Sequence, residues 1–152
     1  MQPFFADYYH LLEIILNDLE KTFNGLPAEA INWVPAPETS SLGVIVVHTL
    51  GATRYLIGDV CLGDLSDRDR TAEFTHTGLT ESALADRMAD TRQYLAGALE
   101  RFTIADLGSV KTFPGRDTER TVSWALLHAL EHASQHVGHA QITRQLWDQQ
   151  HA

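Results

Sequence analysis

Eight histidines occur in this 152-residue chain, and four of them fall in one short stretch: His128, His132, His136 and His139. They lie within LLHALEHASQHVGHAQITRQLW, where apolar and small residues recur at helical steps of three and four. An α-helix turns about 100° per residue, so the four rings share an arc of roughly 80° on one stripe. Imidazole binds zinc, nickel, iron and manganese. Rings at i and i+4 stand about 6 Å apart along the axis and can reach one ion, whereas rings eight residues apart, at about 12 Å, cannot. Three pairs are therefore open, 128/132, 132/136 and 136/139, and helical geometry does not choose among them.

A metal site needs at least a third ligand, which must come from another segment. His48 is the candidate. It is the one histidine in a nearly uncharged run, SSLGVIVVHTLGATRYLIGDV, on a line with Val44, Ile45, Ala52 and Tyr55. A lone histidine on an apolar helix is ordinarily a hydrogen-bonded core residue, but a stripe of histidines elsewhere calls for a closing ligand. Three protein ligands leave coordination positions for water or substrate, as in catalytic rather than structural sites. Tyr55 and the remaining stripe histidines then become candidates for orienting groups or moving protons. Two other readings compete. Plain surface histidines fit poorly, because residues 121–141 carry few charges, chiefly Glu131. The HALEH segment matches an H-x-x-E-H peptidase pattern with Glu131 as base. A histidine-rich helix produces that match easily, however, and no strand is evident to hold a peptide. Paired Glu-x-x-His motifs of a di-iron bundle are absent.

Four segments must position these groups. Phe4, Tyr8, Leu11, Leu12, Ile15 and Leu19 predict a first helix from about Pro3 to Phe23, closed by Asn24-Gly25. A proline-rich loop to Ser40 follows, with a short turn around Ala28–Trp33. Ser40 or Ser41 caps a second, largely buried helix that runs to about Leu62. After a polar stretch, Ser66 to Gly78, Thr80 caps a third helix to about Phe102. Leu79 and Leu84 staple its start, and Leu84, Met88, Leu95 and Leu99 face inward. An irregular connection, Thr103 to Arg120, precedes the fourth helix, about Thr121 to Gln149. It is long enough to lie over a site. The expectation is one all-α domain over residues 1–152, a four-helix bundle.

Composition narrows the function. The chain is 44% hydrophobic and 20% charged, which suits a packed domain rather than disorder. Its net charge of −9, without a basic stripe, argues against nucleic acid. The single cysteine, Cys61, sits among Ile57, Val60 and Leu62 and reads as a core residue that makes no disulfide. The N-terminus lacks the basic start of a signal peptide, and the uninterrupted apolar runs fall short of a membrane span, so the expected location is the cytoplasm.

Two segments together, TSSLGVIVVHTLGATRYLIGDV and WALLHALEHASQHVGHAQITRQLW, with the approach INWVPAP, resemble the second and fourth helices of the DinB-like superfamily of small metal-binding bundles. The resemblance spans nearly the whole chain. It implies an up-down-down-up four-helix bundle, commonly a homodimer, with a divalent metal ion on His48, His132 and His136. It thereby selects one of the three pairs and leaves Tyr55, His128 and His139 around the site. One departure is local: His139 follows Gly138, and Gln141 comes later, where many relatives have Gly-Gln. Some relatives are enzymes acting with a low-molecular-weight thiol as isomerases or S-transferases. The resemblance thus implies such a thiol-dependent enzyme, or a hydrolase, acting on a small molecule with zinc or nickel, or else iron or manganese. The alternative is a non-catalytic metal-binding or sensing bundle.

Overall fold

The computed structural model describes all of residues 1–152 and is mainly helical. Helix α1 spans Pro3–Phe23, α2 Ala28–Asn32 and α3 Leu42–Arg54, the last continuing as a wider π-helical segment over Tyr55–Leu62. Short α4 (Arg70–Glu73) precedes α5 (Glu81–Glu100). A 3₁₀ turn at Ile104–Gly108 and a small hairpin, β1 Val110–Thr112 with β2 Glu119–Thr121, lead into α6 (Val122–Gln150). The four long segments, α1, α3, α5 and α6, enclose one continuous apolar core.

The caps foreseen at Ser41 and Thr80 are present, and Thr121 caps α6 in the same way. The Ser41 hydroxyl accepts from the Val44 N–H, that of Thr80 from Ala83, and that of Thr121 from Trp124. Leu84, Met88, Leu95 and Leu99 are fully buried, as their spacing predicts. Cys61 is buried, and burial pushes its thiol up to about 12, which suits a core residue.

Three expectations need correction. On α1 the core takes the stripe Phe5, Tyr8, Leu12, Leu16, Leu19 and Phe23, while Phe4 and Leu11 are 43% and 52% exposed. The helix carries two adjacent apolar stripes, and period alone cannot say which one meets its neighbours. The Tyr8 hydroxyl, on the buried stripe, donates to the Leu126 carbonyl of α6 at 2.7 Å. Next, the connection before α6 is not wholly irregular. Val110 pairs with Thr121, Lys111 with Arg120 and Thr112 with Glu119 in antiparallel register, so a strand pair does exist. Finally, Leu42–Leu62 is long and apolar enough by length and composition to cross a membrane, which uninterrupted apolar runs did not reveal. In the fold, most of that stretch is buried against the other helices, as expected of a core helix.

The Arg54 guanidinium lies back across Gly58 and 3.5 Å over the Tyr94 ring, and it donates to Asp59 at 3.0 Å. A β-carbon at Gly58 would occupy the space of that guanidinium. Asp59, itself buried, accepts from the backbone N–H and the hydroxyl of Ser66, both at 2.9 Å. These bonds fix the start of the loop that returns to α3 carrying Arg68 and α4.

Candidate metal centre

Helix α6 presents His132 and His136 one turn apart, and α3 presents His48 across from them. The close approach rests on small residues: Ala125, Ala129, Ala133 and Ala140 of α6 are wholly buried, so the backbones can draw near. Ring centroids lie 4.4 Å apart for His132 and His136, 5.1 Å for His48 and His132, and 4.9 Å for His48 and His136. One ring nitrogen from each falls within 4.8 Å of the other two. The Nε2 atoms of His132 and His136 are 3.2 Å apart. Two ligands at the usual zinc–nitrogen distance and a tetrahedral angle would stand about 3.3 Å apart. The donor set is therefore both the right chemistry and nearly the right size for one ion.

Electrostatics keep the pair on α6 ready to bind. Burial, reinforced by repulsion from neighbouring imidazoles, pushes both His132 and His136 down to about 4. Both rings are neutral at pH 7 and offer lone pairs. The Nδ1 atom of His132 is buried without any partner. His136 is held from behind, its Nδ1 lying 3.4 Å from Nδ1 of His139.

His48 is fixed by a residue that sequence reading missed. Its Nδ1 meets the Glu73 carboxylate at 2.9 Å, deep in the protein. Arg68 grips the same carboxylate with two N–H groups, one at 2.7 Å. Burial opposes ionisation of Glu73, but the bonds from Arg68 and His48 outweigh it and hold its pKa below the ordinary carboxylate value. With Nδ1 engaged, Nε2 is the nitrogen of His48 left for a ligand. A carboxylate behind a metal-binding histidine orients the ring and raises its basicity. Gly51 makes room for this arrangement, since a β-carbon there would collide with the Glu73 carboxylate. The only local signal for Glu73 was Asp69, which caps α4 through the Ala72 N–H. Nothing in the spacing pointed to His48, 25 residues away.

The other candidates fall around this cluster. His128 stacks at 4.6 Å on Trp124, and its ring is 5.8 Å from His132. The Tyr55 hydroxyl donates to the Pro114 carbonyl at 3.4 Å, and burial raises its pKa, so it stays protonated. Glu131 is largely exposed and bonded to His128 rather than turned to the cluster, which removes the peptidase reading of HALEH. Two hollows open on opposite sides of His48. One, of about 370 Å³, includes Ile45, Phe74, Ile142 and Leu146 together with His136 and His139. The other, of about 250 Å³, adjoins His132, His128 and Tyr55.

A sequence-family model of the DinB superfamily matches residues 11–140. The chain belongs to the DinB superfamily. Among solved structures, this DinB-superfamily chain is similar to a conserved protein from Enterococcus faecalis, at 19% identity with a TM-score of 0.72, over 93% of this chain and 95% of that one. It is also similar to a DinB-like protein from Bacillus cereus, at 19% identity with a TM-score of 0.71, over 90% of this chain and 87% of that one. At such identity these likenesses speak for the DinB fold alone. No curated protein matches the sequence.

Proposed function

We propose that the chain is a metal-dependent enzyme in which His48, His132 and His136 hold one divalent ion and a low-molecular-weight thiol is transferred to a small electrophile. The observation that carries this reading is the convergence of three imidazoles, two of them held neutral and one fixed by Glu73, with hollows on either side. A bound ion would supply Lewis acidity and lower the pKa of a thiol or water at neutral pH. Zinc or nickel suits three imidazoles best, and iron or manganese also accepts them. In transfer, the thiol loses its proton to solvent, a sulfur–carbon bond forms and the leaving group departs with its bonding pair. Isomerisation through a thiol adduct, or hydrolysis with water as nucleophile, would use the same centre. His128, His139 and Tyr55 line the approaches and would orient what enters.

The same reading includes an up-down-down-up order for the four long segments, a cytoplasmic location and a homodimer. The exposed stripe Phe4, Leu11 and Ile14 on α1 supports a partner copy.

The test is His48→Ala. Native protein should take up one equivalent of zinc or nickel by metal analysis after dialysis, and the variant should take up none while its helical circular dichroism is retained. Equal metal content in both would refute the site. Uptake without turnover in a screen of thiols and electrophiles would favour the other reading, a metal-binding or sensing bundle. That alternative draws on Glu73, a buried carboxylate beside the site, being occupied by Arg68 and so not free to act as a base.

A further inference from the structure

The chain is acidic, with 20 carboxylate side chains against 11 lysines and arginines. In such a background most arginines should find an acidic partner, and five of the nine do: Arg54, Arg68, Arg92, Arg101 and Arg144. Three of the four that do not, Arg70, Arg116 and Arg120, line the hollow beside His132, together with Arg68. No aspartate or glutamate lines that hollow.

Each unpaired arginine arrives on a separate local element. Arg70 opens α4, Arg116 sits in the turn of the hairpin and Arg120 lies on β2. Two are steadied by aromatic faces, Arg70 5.2 Å over Phe74 and Arg120 5.3 Å over Trp124. Arg120 also donates to the Glu119 carbonyl through one nitrogen, leaving its other N–H groups free. Guanidinium groups that line one hollow without a carboxylate make its potential positive, which favours an anion there. Their planar N–H edges suit carboxylate or phosphate oxygens.

We infer that this hollow is an anion subsite, which binds the carboxylate or phosphate group of the small molecule handled at the histidine cluster. The inference deepens the proposed function and rests on it for the word "handled", while the anion site itself stands on the arginines alone. It narrows the substrate or co-substrate to molecules with an acidic group close to the reacting centre. Purely apolar or cationic molecules are poor fits on this side of His48, and the hollow with Phe74, Ile142 and Leu146 is the apolar one.

The test uses full-length, metal-free protein, so that no ion can capture the anion directly. Inorganic phosphate, succinate and neutral succinamide are titrated by calorimetry at constant ionic strength. Saturable binding of phosphate or succinate, but not of succinamide, is expected, and the tighter of the two identifies the acidic group. Arg116→Gln/Arg120→Gln should weaken it by about tenfold or more, with melting temperature and zinc stoichiometry unchanged. Arg87→Gln, at an unpaired arginine outside the hollow, should leave it unaltered. Absence of saturable binding, equal binding by the double variant, or equal weakening by Arg87→Gln would each overturn the subsite. Anion binding in a native protein that takes up no zinc would remove the proposed function and leave this subsite standing.

Discussion

The Glu73 carboxylate decides which face of the His48 ring can act. Because Arg68 neutralises it and His48 donates to it, the ring is locked with Nε2 outward. Replacing Glu73 with glutamine keeps the shape but breaks the ion pair with Arg68 and weakens the pull on Nδ1. Zinc affinity, read by competition with a chelating dye, should fall roughly 10–100-fold while helicity stays the same. Unchanged affinity would mean that the carboxylate is only a structural partner. The α6 histidines predict a pH effect of definite sign. Folding drives both from an ordinary value of 6.5 down to about 4, so between those values the unfolded chain binds more protons than the folded one. Their contribution is therefore complete above about pH 6.5 and is lost progressively as pH falls toward 4. Metal-free protein should melt at lower temperature with each step down from pH 6.5. A His132→Gln/His136→Gln variant should show a shallower decline over pH 6.5–5, above the range where carboxylates titrate.

Helices and their ends were the most legible elements, because caps and core spacing are local properties. Thr121 illustrates this: a β-branched hydroxyl residue directly before an apolar-periodic run, it accepts from the Trp124 N–H at the start of α6. Thr121→Ala should cost about 0.5–2 kcal/mol by chemical denaturation. That helix carries two of the three site histidines, so a frayed start would also loosen His128 and the Trp124 wall before it reached His132. The histidine pair on α6 and the lone His48 on α3 were likewise readable as types and spacings. The pairing of the two helices was not, since three pairs fit the helix equally and only the family resemblance chose one. Least legible were the segments that wall the site. Arg68 and Glu73 sit in a polar stretch with no period, and the strand pair before α6 is three residues per strand, too short to leave a pattern. The choice of stripe on α1 depends on how the helix packs against α5 and α6, which no local rule contains.

At the scale of the whole molecule, charge and apolar surface are unevenly spread. The acidic total hides a cationic hollow beside the site, so a bulk charge that argues against a nucleic-acid backbone conceals a place for a small anion. Phe4, Leu11 and Ile14 remain outside the core, and a second copy would cover them. Leu11→Arg should shift the mass in sedimentation velocity from dimer to monomer without changing the melting of the isolated fold by more than about 0.5 kcal/mol. A native protein that sediments as a monomer at micromolar concentration would remove the dimer.

The burial of Leu42–Leu62 also has a cost in time. Its main neighbours, α5 and α6, lie later in the chain. At ribosomal speeds of about 5–20 residues per second, the interval between finishing this segment and finishing α6 is roughly 4–18 s. For the first part of that interval, until α5 is finished at Glu100, a stretch greasy enough for lipid has only the first two helices and short α4 for shelter. The newborn polypeptide is then a natural client for a holding chaperone, long before any histidine has met its partner.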